Sequence, residues 1–190
     1  MHGGVPKRNN VLNALCHIDN LFFLTIDLKN FFGNITNTQV HQTLISRGLR
    51  WEEARIITRL TTLKGSLPQG APTSTTLANL AFAPTTKLLE DFCKERDIIF
   101  TAFVDDLTFS SSRNFKHLVD QIIAILQNNG FFVNLKKIHY KKGCCEITGV
   151  FIKKGKLSLP KSILERVEKV EIRRYVHSVE KQYKTHLKKG

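Results

Sequence analysis

The stretch FTAFVDDLTFSS, residues 100–111, decides how this chain is read. Two β-prone apolar runs flank an adjacent pair of acids, Asp105 and Asp106. Side chains alternate faces along a straight strand, so neighbouring acids on one strand could not both reach a single site. A two-residue reversal removes the difficulty. Tight hairpins need positive φ, which Asp tolerates, and the pair would then stand together at an exposed tip. A plain polar turn would give the same local pattern, so these twelve residues alone leave both readings open.

A third acid lies upstream. LFFLTIDL (21–28) reads as a buried strand, short and rich in β-formers, with Asp27 at its end. An acid there is costly without a cation or donor beside it. If the two strands are neighbours, Asp27 and Asp105 share one locus. Carboxylates so gathered raise one another's pKa unless divalent cations neutralise them. Oxygen-only ligation with open positions for phosphate suits Mg²⁺. Two such ions stabilise the attacking and leaving oxygens of an in-line phosphoryl transfer.

Charge points the same way. The 190 residues carry 29 Lys and Arg against 16 Asp and Glu, a net +13, which favours a polyanionic partner, nucleic acid ahead of an anionic membrane. A solubilising surface charge is the bland reading. The length fits one domain, or one with a short appendage. No apolar run approaches the ~20 residues that span a bilayer, and MHGGVPKRNN lacks the apolar stretch of a signal peptide, so the cytoplasm is the expected compartment. Cys16, Cys93, Cys144 and Cys145 make no CxxC pair; they are expected as reduced, packed side chains rather than a zinc site.

The remaining segments alternate in type. Thr36 or Asn37 caps a helix that stops at Gly48, and residues 51–63 have helical spacing with acids in the first turn. KGSLPQGAPTS (64–74) is a loop, after which Thr73 or Ser74 caps a long helix kinked by Pro84. An amphipathic helix ends at Gly130, short strands run from Phe131 to about Ser158 with KKGK (153–156) as a hairpin turn, and a basic helix follows Pro160. The expected class is α+β, one antiparallel sheet with helices on one face, the last basic helix being an appendage outside that core.

In this order along the chain, the motifs resemble the palm of a retron-type bacterial reverse transcriptase. TIDLKNFFGNIT (25–36) resembles the first catalytic motif, LPQGAPTSTTLANL (67–80) the template- and nucleotide-facing loop and helix, and FVDD (103–106) the YxDD box. GFFVNLKKI (130–138) is similar to the following lysine motif, and ITGV (147–150) to the segment ahead of the primer grip. HGG (2–4), the NAxxH form of NALCH (13–17) and the ITG triplet narrow the likeness to retron enzymes.

The resemblance implies a palm over residues 1–159, with a remnant of fingers at 1–20, and the start of a thumb at 160–190. It implies Asp27 and Asp105 as the main metal ligands and Asp106 as a weaker or outer one. The cofactor would be two Mg²⁺ ions, with Mn²⁺ a substitute. Phe32 falls at the steric gate, where a ring collides with a ribose 2′-OH; a core Phe is its other reading. Gln69 and Gly70 sit where backbone approaches template and nucleotide closely, as glycine permits. Phe103 stands near the primer end, and Lys137 near the triphosphate, where a cation can offset or protonate the leaving pyrophosphate; one more surface lysine, like its neighbour Lys136, is the other reading. Asn13 and His17 are implied in binding the retron's own structured RNA; local capping or packing is the alternative.

Several positions depart from the family form. Asn30 stands for the usual Asp, Gly33 for Pro, Thr75 for Pro, and Phe103 for Tyr. Relatives also carry a fingers segment ahead of HG and a longer thumb, so the chain reads as a fragment, a decayed gene or one piece of a split enzyme. The implied function is RNA-directed DNA synthesis from deoxynucleoside triphosphates on a noncoding RNA that stays joined to its DNA product, in defence against phage with a separate effector protein and no membrane. A catalytically inactive RNA-binding remnant is the alternative, and an RNA-templated RNA polymerase a third reading that Phe32 disfavours.

Overall fold

Why the chain folds as it does is clearest in β1 (Phe22–Asp27), whose alternate residues face two different cores. The structure is a computed structural model and describes residues 1–187 except 154 and 167. A short helix α1 (Asn10–Leu15), capped by the Asn9 side chain, precedes β1. After it come α2 (Asn37–Ser46), α3 (Trp51–Thr61) and α4 (Ser74–Lys94). Thr36 caps α2 in a full capping box with Gln39. The expected side-chain cap of α4 is not made: Ser74 Oγ instead donates to the Pro68 carbonyl, tying the helix to its own leading loop. The helix runs on through Pro84.

The strands β2 (Ile99–Phe103) and β3 (Asp106–Ser111) form the central hairpin, followed by α5 (Val119–Asn128), β4 (His139–Lys142), β5 (Cys144–Ile147), β6 (Val150–Lys153) and β7 (Lys156–Ser158). Lys153 pairs with Lys156, so the reversal expected at 153–156 lies between them, although Lys154 is outside the described residues. The basic tail is two helices rather than one, α6 (Lys161–Leu164) and α7 (Val170–Leu187).

The single expected sheet is in fact two. A four-stranded antiparallel sheet has the order β2-β3-β1-β4, and β5-β6-β7 make a separate three-stranded sheet. On one face Leu24, Ile26, Leu107 and Phe109 pack under α4 and α5 with Phe31, Phe82 and Phe131, whose rings meet 4.5–6.0 Å apart. Phe23 points the other way, into a second core built from α1, the small sheet and Val179 of α7. Helices therefore cover both faces, and α7 closes a core instead of standing outside it. The reason is local: β1 carries apolar side chains on both faces, Phe23 on one and Leu24 and Ile26 on the other, so it has two faces to bury.

The cysteines are free among the described residues; Cys93 and Cys145 are packed as expected, but Cys16 is exposed. No helix of the described residues is long and apolar enough to cross a membrane.

Candidate functional site

Three segments bring the acids together. Antiparallel pairing sets β1 against β3 with Thr25 opposite Thr108 and Asp27 opposite Asp106. Residues directly opposite share a face, with Cβ atoms typically about 5 Å apart. The cross-strand neighbour of Asp27 is thus Asp106, with Asp105 in the adjoining turn and close enough to feel Asp27. Phe103 pairs with Asp106, so the reversal consists of Val104 and Asp105. The positive φ it needs falls on Val104, at 58°, and not on an acid. Leu28 N–H donates to the Asp105 carbonyl at 3.0 Å, which pins the turn to the end of β1.

The acids feel one another. Burial, then Asp105 and Asp27, raise the Asp106 carboxyl to about 6 against the pull of Lys137, although the residue as a whole keeps solvent exposure. Asp105 is raised by burial and by Asp27, with a backbone hydrogen bond and Lys137 opposing. Lys137 is the counter-charge. Its Nζ donates to Asp27 Oδ1 at 2.7 Å, and this bond raises the pKa of the exposed ammonium. The lysine is aimed there by its short 3₁₀ turn, Leu135–Lys137, which Asn134 anchors by donating N–H to the Asp27 carbonyl at 2.9 Å. That geometry separates Lys137 from Lys136, which the sequence could not do firmly.

The donor set fits a hard divalent cation in chemistry and charge: carboxylate oxygens only, mutually repelling, next to an ammonium that partly neutralises them. Convergence is a separate matter. Among the described residues, no group of three or more His, Cys, Asp or Glu is gathered closely enough to hold a metal ion.

A groove of about 370 Å³ opens from Asp27 and Asp106 between the two sheets. Lys137, His139, Lys141 and Thr148 line it. His139 and Lys141 alternate along β4 opposite Thr25 and Phe23, so both project to the carboxylate face. Sequence reading missed these two. Their period-2 spacing in HYKK was the available signal, but only the β1 register says which face it marks.

Phe31 is core and Phe32 half-buried, with the two rings edge to face at 5.4 Å. Phe103 is half-buried at the end of β2. Gln69 and Gly70 are exposed at the far side of the loop. Gly70 has φ 89° and open space where a Cβ would be, so its glycine serves the backbone conformation. Two family departures prove to be one. Asn30 adopts φ 49°, and a side chain at Gly33 would strike its carboxamide.

Asn13 and His17 are placed differently from the RNA contact expected of them. Both are wholly buried. His17 bridges two strands, Nδ1 to Ser110 Oγ at 2.6 Å and Nε2 to Thr101 Oγ1 at 2.7 Å, and burial lowers its pKa to about 3. Asn13 Nδ2 lies 3.4 Å from Thr148 Oγ1, while Asn10 Nδ2 donates to the Thr148 carbonyl and to Tyr175. The NAxxH and ITG motifs therefore meet, seating α1, and Asn10 beside them ties α1 to α7.

Comparison with known proteins agrees with this picture. The family described as reverse transcriptase (RNA-dependent DNA polymerase) matches residues 6–152. The chain is 31% identical over 182 residues to the retron Ec86 reverse transcriptase of Escherichia coli, covering 93% of the chain and 55% of that protein. It is 29% identical to the retron Mx65 reverse transcriptase of Myxococcus xanthus, over 80% of the chain and 40% of that protein. The chain thus spans about half the length of the curated relatives it matches. Among solved structures, telomerase from Candida albicans in complex with a fragment of telomeric RNA superposes with a TM-score of 0.61 at 14% identity, over 78% of this chain and 33% of that one. Apo telomerase from Candida tropicalis gives 0.59 over 81% and 35%. At these identities the likeness is one of fold.

Proposed function

Because this chain belongs to the reverse transcriptase family, we propose that it is the polymerising palm of a retron-type RNA-directed DNA polymerase. The observation that carries the proposal is the register of Asp27 against Asp106, with Asp105 in the adjoining turn, beside a groove whose lining includes Lys137 and Lys141. Reverse transcriptases as a family use divalent ions, and Asp27, Asp105 and Asp106 would hold them here, Mg²⁺ first and Mn²⁺ as a substitute. Such ions, when bound, neutralise charge on the attacking and leaving oxygens of phosphoryl transfer.

The protein's own groups do the rest. Asp27 and Asp106, opposite each other across the strands, would offer their oxygens to a shared ion. Lys137, held beside the acids by Asp27, would be the cation offered to a triphosphate, offsetting its charge or giving a proton to the pyrophosphate. Lys141 offers positive charge, and His139 a ring nitrogen, along the groove to a nucleic-acid backbone, whose contacts position without reading sequence. Phe32 would close on the sugar and reject a 2′-hydroxyl, so the substrates would be deoxynucleoside triphosphates. Gln69, Gly70 and Phe103 would lie against template, nucleotide and primer end. Asn13 and His17 would serve RNA binding by seating α1, not by touching RNA.

The template would be a structured noncoding RNA that stays joined to its DNA, in the bacterial cytoplasm, as part of phage defence with a separate effector. Residues 1–159 would be palm and 160–190 the start of a thumb. The test is metal-dependent primer extension on RNA by wild type and by Asp105→Ala. Extension that survives Asp105→Ala would remove the carboxylates from the chemistry.

A further inference from the structure

Val104 is a β-branched residue in left-handed backbone, in the turn that carries Asp105. Such a conformation is costly and persists only where the surroundings over-determine it. The surroundings are an N-terminal strap, His2–Gly3–Gly4. His2 N–H donates to the Ala102 carbonyl at 2.7 Å, extending the edge of the hairpin. Gly3 then lies flush on the turn. A Cβ there would stand 2.6 Å from Val104 N and 2.9 Å from the Phe103 carbonyl carbon, both backbone atoms that no rotamer can move aside. From the other side Asn79 of α4 donates Nδ2 to the Gly3 carbonyl at 2.8 Å. Gly4, at φ 67°, passes so close to Thr75 that a Cβ would run into its methyl group. The strap is thus wedged between the acid-bearing turn and the first turns of α4, the helix led in by LPQGAPTS.

We propose that this strap is a positioning brace: Gly3, clamped by Asn79, holds Val104 in its strained conformation and so fixes Asp105 and Asp106 against Asp27. Through Thr75 and Asn79 the same brace ties the turn to the start of α4, which the loop at residues 67–73 leads into. The role rests on the reading of the three acids as catalytic, while the brace itself does not. Gly3→Ala is the direct perturbation, since the added methyl cannot be housed unless the turn moves away.

The first readout is amide hydrogen exchange of the intact protein without metal or substrate. In Gly3→Ala, amides of residues 103–107 should exchange about tenfold faster, while those of α5 stay as in wild type. The second is primer extension, where kcat should fall about a hundredfold with the KM for nucleotide changed little, as expected for misplaced reacting groups. Unchanged exchange at 103–107 overturns the brace. Faster exchange with unchanged kcat overturns its positioning role. Should Gly3→Ala not fold, Asn79→Ala takes its place: it removes only the amide over the Gly3 carbonyl, and the same segment must loosen for the brace to stand. A wild-type protein that shows the exchange pattern with its variants yet extends no primer leaves the brace intact and refutes the polymerase reading instead.

Discussion

Replacing His17 by Gln should change how stability depends on pH, not only how large it is. In the folded chain burial lowers the imidazole to about 3, from an ordinary value of 6.5, with His2 adding to the effect. The unfolded chain therefore binds a proton that the folded one refuses. His17 costs nothing above pH 6.5, and stability is lost as pH falls from there toward 3, by about 1.4 kcal/mol per unit. At pH 5 the loss from this ring is about 2 kcal/mol. His2, lowered to about 4 by burial, the N-terminal amine and Arg8, acts in the same direction. Asp106 acts oppositely: its raised carboxyl stabilises the fold as pH falls from about 6. Taking the difference between wild type and variant cancels both. At pH 7.5 His17→Gln should be less stable by about 1–3 kcal/mol, because Ser110 and Thr101 lose well-placed partners. Urea titrations at pH 7.5, 6.5, 5.5 and 5.0 should then show the gap shrinking by about 1.4 kcal/mol per unit below 6.5. A gap that stays constant to pH 5 would refute a neutral, strand-bridging His17.

Other expectations concern single side chains. Phe32→Ala should admit ribonucleotides, read as a rise in ribonucleotide over deoxynucleotide incorporation; unchanged sugar discrimination would remove Phe32 from the gate. Lys137→Met should lower primer extension by about 10²-fold while leaving stability nearly unchanged, since its ammonium is exposed and its pair with Asp27 is screened. Equal losses in both assays would make the lysine structural. Phe82→Ala should destabilise by about 3–5 kcal/mol in urea, because that ring is fully buried between Phe31 and Phe131.

The strands and helices that carry the site could be read from patterning because each has a strong local signal. β1 is a short β-branched and aromatic run, α2 has its capping box, and the β2–β3 hairpin is flanked by apolar residues on both sides. What patterning could not supply was register. A one-residue difference decides whether Asp105 or Asp106 faces Asp27, and only the β1–β3 ladder fixes it. The same limit hid the faces of His139 and Lys141. Tertiary burial accounts for the other surprises. Asn13 and His17 look like surface polar groups at helical spacing, yet Thr101, Ser110 and Thr148 line the buried face they meet. The positive φ fell on Val104 rather than on an acid, at a turn against which Gly3, distant in sequence, is closely packed. The short strands between Phe131 and Ser158 were expected, but their separation into a second sheet was not, because pairing partners are set by register and not by local pattern.

The central claim is templated DNA synthesis by these three acids. Its most direct measurement is the incorporation of deoxynucleotides onto a primed RNA template with Mg²⁺, by the protein in its natural full length, with Asp27→Ala, Asp105→Ala and Asp106→Ala beside it. Template-directed extension by wild type, lost in all three variants at unchanged folding, is the result expected. A folded wild type that incorporates no deoxynucleotide on any RNA template, or variants that extend as well as wild type, would contradict it.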